Sequence, residues 1–587
     1  MTAPATEAAW ARTEAGFLDC HRARLNVELH LLTTPVGLFC AAWLLAAAQP
    51  GLSLVAGAAY GIYLLLRVPA PLGAVSGAVA LGLGLAGELA PPGLWAPALG
   101  LVAAYVLQEV AHHASGERTF QSTYQGQQGW LTRLTEHTLL LLPLVLRAAV
   151  EGPMPFLGRL VPARGATFAR ITGEPLAQAM RRVRAWVEAN TPATDRTTHV
   201  WRRDLEGAVR DDVDLLATDP QLLALVARHH GPGWVVEPVH DMNEVYVTGP
   251  EKDRTSDTVF YLPHVDGPWS VWPGAAVYRC MLALSPNPRI TTHFPMAGAE
   301  RPEAVTIDDG EVAAFDFNRE VHFITCNPDA PQPGLRINLK LHFVAYPPGL
   351  QPWGRLLAWL TSRYDEQARD LFLFTIDPKT ASQRLAAAYV LTTTRAFAAL
   401  QRYVGASNLA FAAVLALVSA ATGSVWPWVL GISFVHYLVY IAVFHERGPV
   451  GFRTFVRDVV FFKTLSIGTL AACAIAAGGF TPLSIGMIVV GTGLSASAAH
   501  ALGWVRTYFG VELGFDAPAR ITRFPYGFVP HPMIVGSAIA LVGLELSPAL
   551  REAWPWLVPT HLGLYALHLA QEAFDRRAPE VRTPLGG

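Results

Sequence analysis

Apolar residues form long runs near the two ends of the chain, and a charged, mixed stretch lies between them. Each run has roughly 17 to 22 residues, enough for a helix to cross the about 30 Å hydrocarbon core of a bilayer. No such run occurs between about residues 155 and 380, so we expect a water-soluble domain there. The expected spans are 31–49, 52–67, 71–89, 93–111, 406–424, 427–445, 460–479, 482–504, 531–548 and 553–571.

From Trp234 onward, the soluble stretch consists of strand-length pieces of alternating apolar and polar residues, separated by turn residues. This pattern predicts a β-sandwich or jelly roll. The patterns of 176–190 and 209–229 predict helices that brace one face of it. The strand pieces are VVEPVHDMNEVYV, TVFYLPHVDG, AAVYRCMLALS, ITTHFP, AVTIDDGEVAAFDF, VHFITC and LRINLKLHFVAYP.

The expected fold is therefore a multi-domain chain. Its α-helical membrane bundles flank a soluble β-jelly roll, or double-stranded β-helix, with bracing helices. A length of 587 residues also exceeds what one hydrophobic core organises. The expected domains are a four-span domain at 1–152, the soluble domain at 153–350, an amphipathic connector at 351–404 and a six-span domain at 405–587.

Composition and the distribution of arginines predict the location. Hydrophobic residues make up 52% of the chain and charged residues 15%, which indicates membrane insertion. Four spans followed by six place both termini and the soluble domain on one side. The loops of that side are rich in arginine, with Arg551 as the exception on the other side, so we expect it to be cytoplasmic. These arginines are Arg67, Arg447, Arg453, Arg457, Arg506, Arg520, Arg523, Arg576 and Arg577.

The cysteines indicate the redox environment of the chain, and its net charge bears on its partners. The five cysteines show no CxxC spacing, which suits reduced thiols in a cytosol. A net charge of −2 and the lack of a basic run interleaved with aromatics argue against a nucleic-acid partner. We therefore expect an integral protein of a bacterial inner membrane.

Three residues of the soluble domain have the spacing of an iron site. His264 and Asp266 stand two apart in a predicted strand, so their side chains project from one face, and His322 opens a later strand. Two histidines and one carboxylate form the facial ligand set of non-haem Fe(II) oxygenases, which leaves positions open for 2-oxoglutarate and dioxygen. Arg336, or alternatively Lys340, would pair with the distal carboxylate of 2-oxoglutarate.

The alternative is that the His-x-Asp triplet occurs by chance and that its histidine is an ordinary strand residue. The second histidine at this distance, the arginine that follows it and the strand context together favour the iron site. Two further histidines of the domain, His293 and His342, are expected to be structural or substrate-facing rather than ligands.

Residues 230–347 resemble the aspartyl/asparaginyl β-hydroxylase family of 2-oxoglutarate oxygenases, in the blocks HVDGPWSVWPGAAVYRCMLAL, GEVAAFDFNREVHFITCN and LRINLKLHFVAYP. The resemblance implies Fe(II) ligands at His264 and His322, with Arg336 on 2-oxoglutarate and Arg279 as a further candidate for that role. The family includes peptidyl hydroxylases and bacterial hydroxylases that act on lipid acyl chains. The resemblance therefore leaves both substrate classes open.

A second group of histidines flanks the N-terminal spans. His21 and His30 lead into the first span, and His112 and His113 end the fourth, which places them on one membrane face. Such a group predicts either a metal site or interfacial histidines that cap helices. The pieces HRARLNVELHLLTTP and VLQEVAHHASGE resemble the membrane family of 2-hydroxy fatty acid dioxygenases. That resemblance implies iron held by these histidines and the shortening of 2-hydroxy acids by one carbon.

A third group lies in the C-terminal spans. Gly491 and Gly493 share one span, His531 follows in PYGFVPHPM, and Glu572 ends the last span. Paired glycines let a cofactor approach a helix backbone, although the glycines alone favour helix packing. The ordered set resembles the phospholipid and isoprenylcysteine methyltransferases, which implies that these four residues bind S-adenosylmethionine. The YFG at 508–510 points to the phosphatidylethanolamine N-methyltransferase branch.

The function expected from the sequence is a multifunctional membrane enzyme of lipid chemistry. It would hydroxylate an acyl chain or headgroup, shorten a 2-hydroxyacyl product and methylate an amine-bearing lipid. Its cofactors would be Fe(II), 2-oxoglutarate and S-adenosylmethionine, and its partners the bilayer and a membrane lipid. Two alternatives stay open, namely a membrane-anchored peptidyl aspartyl/asparaginyl β-hydroxylase and a membrane scaffold with degenerate sites.

Overall fold

The computed structural model describes residues 3–126, 129–150, 165–191, 197–230, 234–249, 259–331, 334–376, 378–447 and 450–574. It divides into two compact units, Met1–Phe156 with Gly231–Gly233, and Leu157–His230 with Trp234–Gly587. The expected domain border at 152 and the arginines Arg576 and Arg577 lie outside the described residues.

The first unit is helical in its described residues. Its helices are α1 (Ala3–Asp19), α2 (Arg24–Ala48), α3 (Leu52–Arg67), α4 (Ala70–Glu88), α5 (Trp95–Ser115) and α6 (Trp130–Val150). Helices α2 to α5 follow the four expected spans, whereas α1 and α6 have no counterpart among them. A Cβ at Gly61 in α3 would lie 3.1 Å from the carbonyl oxygen of Gly77 in α4. Small residues thus let these two helices approach closely.

The central part of the second unit contains two antiparallel sheets. The large sheet has the order β1-β8-β5-β10-β4-β2, with β3 also beside β10, and the small sheet has the order β7-β6-β9. The strands are β1 (Thr167–Arg170), β2 (Thr197–Trp201), β3 (Val235–Pro238), β4 (Glu244–Thr248), β5 (Ala276–Ala283), β6 (Ile290–Phe294), β7 (Glu303–Val305), β8 (Glu311–Asp316), β9 (Phe323–Cys326) and β10 (Arg336–Tyr346).

The strand predictions differ from the structure in three places. A 3-10 turn at His240–Met242 divides the first predicted piece into β3 and β4. The piece TVFYLPHVDG forms no regular strand in its described residues, where His264 makes an isolated antiparallel bridge to His322. Strands β1 and β2 were not expected, and they occupy the two ends of the large sheet.

One face of the large sheet packs against helices, and the other packs against the small sheet. The bracing helices are α7 (Glu174–Asn190), α8 (Gly207–Ala217) and α9 (Pro220–Ala227), the last two in place of one predicted helix. They share a buried core with alternate strand residues such as Cys280 and Leu341. The residues between these point to the opposite face, where Phe315 of the large sheet packs with Phe294 of the small sheet. The candidate iron site lies on this second face.

The chain after the sheets is helical. Its helices are α10 (Gln351–Ile376), α11 (Ala381–Tyr403), α12 (Ala406–Thr422), α13 (Trp426–Ser433), α14 (Val435–Glu446), α15 (Phe452–Ala477), α16 (Pro482–Leu502), α17 (Trp504–Thr507), α18 (Pro532–Glu545), α19 (Pro548–Ala553) and α20 (Leu557–Phe574). The expected connector at 351–404 therefore consists of α10 and α11.

The described residues contain four helices that are long and apolar enough to cross a membrane, namely α2, α13 with α14, α15 and α16. Helices α11 and α12 would add a fifth if this pair, which is bent by 77°, formed one span. Of the helices at the other expected spans, α3 and α18 have only 16 and 14 residues, and the number of spans stays a prediction. The chain is an integral membrane protein, and its orientation stays a prediction.

Candidate active sites

The three expected iron ligands meet between the two sheets. The main-chain N–H of His264 donates to the carbonyl of His322 over 3.0 Å, and that of His322 donates back over 2.9 Å. Nε2 of His264 lies 3.7 Å from Oδ1 of Asp266, and Nε2 of His322 lies 3.6 Å from Oδ2. All three side chains are buried, and one potential ligand atom from each lies within 4.8 Å of the others. A backbone bridge, rather than the expected strand, brings the two histidines together.

Hydrogen bonds determine which ring nitrogen faces the centre of this group. Nδ1 of His264 donates to the carbonyl of Leu262 at 2.8 Å, and Nδ1 of His322 donates to that of Glu320 at 3.2 Å. Because a carbonyl only accepts, each neutral ring keeps its Nε2 lone pair towards Asp266. Burial lowers the pKa of His322 to about 3, so this ring is neutral near pH 7. Nε2 of His264 has no hydrogen-bond partner in the described structure.

Arg279 forms a hydrogen bond with the carboxylate of Asp266. Its Nη1 donates to Oδ2 of Asp266 at 2.7 Å, and its Nε donates to Nε2 of His342 at 2.9 Å. Burial would raise the pKa of Asp266, but the adjacent guanidinium of Arg279 outweighs it and holds this pKa below its ordinary value. Asp266 is therefore an anion, and Arg279 fixes its orientation. Of the two histidines expected to be structural or substrate-facing, His342 thus contacts Arg279 directly.

Strand β10 carries both cations considered for 2-oxoglutarate. Arg336 and Lys340 lie four residues apart and project from the same face as Arg279. Nζ of Lys340 lies 3.0 Å from a carboxylate oxygen of Glu244. Arg336 is 8% exposed, and the described residues offer it no carboxylate partner and leave its Nε without a hydrogen bond. Burial lowers the pKa of Arg336, which reflects the cost of holding a cation there. Of the two, Arg336 is the cation that lacks an anion.

Sequence reasoning missed the buried ion pairs that α10 adds to this site. Nη2 of Arg369 donates to Oε1 of Glu244 at 2.6 Å. Asp365, one turn earlier, has a carboxylate oxygen 3.7 Å from Nη2 of Arg279. Asp365 and Arg369 are both buried, at 4% and 6% exposure. These contacts join residues far apart in the chain, so the sequence offered no local signal for them.

A second group of buried histidines lies in the first unit. The rings of His21, His30 and His112 have centroids 4.7 to 5.0 Å apart, and one potential ligand atom from each lies within 4.8 Å of the others. Nδ1 of His21 donates to the carbonyl of Phe17, and Nδ1 of His30 donates to that of Asn26. Both rings therefore present an Nε2 lone pair, and that of His21 has no hydrogen-bond partner among the described residues.

Two more residues of the first unit bear on this group. His113, which was expected among the ligands, is exposed and is not one of the three grouped histidines. His137 of α6 was not expected, and its Nδ1 lies 2.9 Å from the hydroxyl of the buried Tyr124. Its ring contacts that of Phe120, with centroids 4.8 Å apart. The apolar pattern that ends α6 was the available signal for this helix.

In the C-terminal helices, Glu572 and His531 come together although they are far apart in sequence. Oε1 of Glu572 lies 3.1 Å from Nε2 of His568, and Oε2 lies 3.8 Å from Nδ1 of His531. His531 has a left-handed backbone, with φ of 44°, immediately before α18. The carboxylate is partly exposed, at 28%, so it can accept hydrogen bonds from a ligand.

The paired glycines of α16 have different surroundings. A Cβ at Gly491 would lie 2.5 Å from the carbonyl oxygen of Gly536 and from the amide nitrogen of Ala540, so this glycine allows α16 and α18 to pack. A Cβ at Gly493 would meet nothing within 4 Å among the described residues. Both were expected at a cofactor, but only Gly493 faces open space.

Comparison with solved structures finds 2-oxoglutarate-dependent oxygenases, which are similar to the central region of the chain. The epimerase SnoN, crystallised with Fe3+, alpha ketoglutarate and nogalamycin RO, is 17% identical over 35% of this chain and 88% of its own, with a TM-score of 0.24. HygX from Streptomyces hygroscopicus, with nickel and 2-oxoglutarate bound, is 14% identical over 32% and 83%, with a TM-score of 0.22. A prolyl 4-hydroxylase from Phytophthora capsici is 13% identical over 42% and 90%, with a TM-score of 0.23.

Comparison with curated proteins finds no match. The family comparison matches the part of the chain that contains Gly491, Gly493, His531 and Glu572, and it does not extend to the N-terminal helices. Residues 481–572 match the model of the phospholipid methyltransferase family, so the chain carries a phospholipid methyltransferase domain at its C-terminus.

Proposed function

We propose that the chain is a multifunctional membrane enzyme that hydroxylates a lipid at the central site and methylates an amine-bearing lipid at the C-terminal site. The main support for hydroxylation at the central site is the group formed by His264, Asp266 and His322. It offers two imidazole nitrogens and one carboxylate, all buried and directed at one point. This donor set fits Fe(II) bound on one face.

The path of the chain through the sheets supports a double-stranded β-helix. The N–H of Ile324 in β9 donates to the carbonyl of Phe260 at 2.9 Å, so residues 260–264 lie beside β9 at the edge of the small sheet. Successive segments then alternate between sheets except at β6 and β7, because β4, β5, β8 and β10 belong to the large sheet and 260–264, β6, β7 and β9 to the small one. This alternation is typical of jelly rolls.

The residues of the site have separate tasks in the proposed hydroxylation. His264, Asp266 and His322 would hold the metal, and Arg279 keeps the carboxylate of Asp266 ionised and oriented. Arg336 would bind the distal carboxylate of 2-oxoglutarate through two parallel N–H donors. Fe(II) and 2-oxoglutarate, when bound, would supply the oxidation, in which one atom of dioxygen enters succinate as carbon dioxide leaves and the other enters a C–H bond of the substrate.

Arg336→Ala is expected to raise the 2-oxoglutarate concentration needed for half-maximal turnover by about 10- to 100-fold, because a charge-assisted hydrogen bond contributes about 1.5–3 kcal/mol. Lys340→Ala, the matched control, removes a cation that is already paired with Glu244 and should change this concentration much less. The measurement is succinate formation by the full chain at increasing 2-oxoglutarate. An unchanged requirement in Arg336→Ala would transfer the role to Lys340 or Arg279.

The proposed methyl transfer uses the open surface around Gly493. S-adenosylmethionine would lie along α16, where Gly493 leaves room for it. Glu572 would accept hydrogen bonds from its ribose hydroxyls or its amino group, with His531 and His568 fixing the carboxylate. Membership of residues 481–572 in the phospholipid methyltransferase family supports a lipid amine as the methyl acceptor.

A third activity, the oxidative shortening of 2-hydroxyacyl chains, is proposed for the first unit. The three grouped histidines support it, because two of them present a fixed Nε2 lone pair and all three are buried. Neutral imidazoles are good ligands for iron. We also propose that all three sites face the cytoplasm of a bacterial cell, as the arginine-rich loops indicate.

His21→Ala, His30→Ala and His112→Ala are each expected to remove one equivalent of iron from the full chain, because each removes a ligand from a three-histidine group. His113→Ala is the matched control and should keep the metal, since His113 is exposed and lies outside the group. Metal analysis would be made in a His264→Ala background, so that the central site does not contribute. Equal iron in all four variants would favour the capping hypothesis.

The main alternative is hydroxylation of Asp or Asn in a protein by the same central site. Lipid extracts and tryptic peptides from cells that express the wild-type chain or His322→Ala separate the two substrate classes. Lipids that gain one oxygen only with the wild-type chain support the proposal. A peptide that gains the oxygen instead would assign the site to protein hydroxylation. The absence of both products would favour a scaffold.

A further inference from the structure

Helix α11 has an exposed apolar stripe that none of the proposed active sites uses. Leu385, Tyr389 and Tyr403 are 74%, 67% and 70% exposed. The exposed Ala396 and Ala399 continue the stripe between Tyr389 and Tyr403 at helical spacing. Ala387, Val390, Ala398 and Gln401 of the other face are buried. The helix is therefore amphipathic, and its protein-facing side is already occupied.

The charge of α11 indicates what covers the stripe. Its sequence contains three arginines, Arg384, Arg395 and Arg402, and neither aspartate nor glutamate. Apolar and aromatic residues on one side, together with basic residues, are typical of helices that lie at the surface of anionic membranes. Each arginine near such a surface contributes about 1 kcal/mol of attraction. The stripe thus fits an anionic bilayer better than a protein partner.

The short connection between α11 and α12 bears on how α11 is oriented relative to the membrane. The two helices are separated only by Val404 and Gly405 and are bent by 77° relative to each other. Helix α12 is apolar along its length, with no charged residue between Ala406 and Thr422. If α12 enters the bilayer close to its normal, α11 runs close to the membrane plane. Its 23 residues would then cover about 35 Å of the surface.

The buried face of α11 packs on the segments that carry the iron ligands. Phe397 packs against a small core that contains Val265 and Val321. Val265 stands between His264 and Asp266, and Val321 immediately precedes His322. Farther along, the hydroxyl of Ser407 in α12 donates to the carbonyl of Ser270 at 2.5 Å. The ligand segments therefore contact α11 and α12 directly.

We propose that α11 lies in the headgroup and upper acyl layer of an anionic bilayer, with the Leu385–Tyr389–Tyr403 stripe inserted, and that it holds the iron ligands next to the membrane surface. The helix is about 10 Å wide, so the ligand segments would lie one helix diameter from the lipid. The consequence for substrate, which rests on the proposed function, is that a membrane lipid reaches the site without leaving the bilayer.

Photo-crosslinking tests this position directly. A benzophenone side chain is placed at Leu385 or Tyr389 of the full chain, in bilayer discs of equal parts phosphatidylcholine and phosphatidylglycerol. The matched control is Leu215 of α8, which is 43% exposed on the soluble part. Lipid adducts at Leu385 and Tyr389 should exceed those at Leu215 by about tenfold or more, because only an inserted side chain is surrounded by acyl C–H bonds. Equal, low yields at all three positions would overturn the proposal.

A double variant tests the consequence for substrate. Leu385→Glu with Tyr389→Glu should lower lipid hydroxylation about tenfold, since it puts two charges into the apolar layer. Binding of S-adenosylhomocysteine should not change. Normal lipid hydroxylation in this variant would overturn the substrate-delivery role. If the wild-type chain hydroxylated no lipid, the proposed function would fail, whereas the crosslinks would still decide the position of α11.

Discussion

His264→Ala and His322→Ala are each expected to empty the central site of iron and to stop succinate formation. Each change removes one of three ligands whose potential donor atoms lie within 4.8 Å of one another. Loss of an outer-shell partner alone costs about 10- to 100-fold in metal affinity or activity, so loss of a ligand should cost roughly 100-fold or more. Iron content and 2-oxoglutarate-dependent succinate release of the purified full chain measure both effects.

His293→Ala provides the control for these two variants. His293 belongs to the small sheet, where its ring stacks on Phe323 with centroids 4.7 Å apart and its Nε2 contacts the hydroxyl of Thr325. It is not part of the metal-binding group, so its loss should leave the iron content unchanged. Circular dichroism of all three variants would show whether the sheets remain folded. Normal turnover by both folded ligand variants would mean that the ligand assignment is wrong.

The second large effect concerns the two glycines of α16, which should respond differently to leucine. Gly491→Leu is expected to destabilise the chain by about 1–3 kcal/mol or more, because the new side chain would overlap the backbone of Gly536 and Ala540. Gly493→Leu should leave the melting temperature unchanged and prevent cofactor binding, since its side chain would fill the open space along α16.

Thermal melting and isothermal titration with S-adenosylhomocysteine separate these effects. Glu572→Gln is a further control, because it keeps the size of the side chain and should weaken binding without changing the fold. If Gly493→Leu and Glu572→Gln both bound as tightly as the wild-type chain, the cofactor site would lie elsewhere. Lack of binding by the wild-type chain would indicate a degenerate domain.

The sequence predicted the sheets better than it predicted their edges. Long alternating pieces such as the one that forms β10 pack on both faces and are evident from their pattern. Strands β1 and β2 have four and five residues and lie among helices before Trp234, so no neighbouring strand pieces make their pattern recognisable. The number of membrane spans stays a prediction, because hydropathy alone does not distinguish a short helix such as α18, or a bent pair such as α11 and α12, from a full span.

The candidate iron site was predicted in its members but not in its surroundings. The spacing of His264, Asp266 and His322 follows from local sequence, and the structure brings these residues together. Contacts between residues far apart in the chain left no local signal. One example is the bond from Arg279 to Asp266, and another is the approach of Asp365 on α10 to Arg279. Nor does a pattern separate Gly491, which packs against a helix, from Gly493, which does not.

Lipid hydroxylation at the central site is tested most directly by the fate of isotopically heavy dioxygen. The full chain in bilayer discs is supplied with Fe(II), 2-oxoglutarate, heavy dioxygen and lipids extracted from the host, and the lipids and succinate are then analysed by mass spectrometry. We expect that one heavy oxygen atom enters a lipid and one enters succinate, in equal amounts, and that His322→Ala forms neither labelled product. Succinate without a labelled lipid, or labelled lipid that persists in His322→Ala, would contradict this expectation.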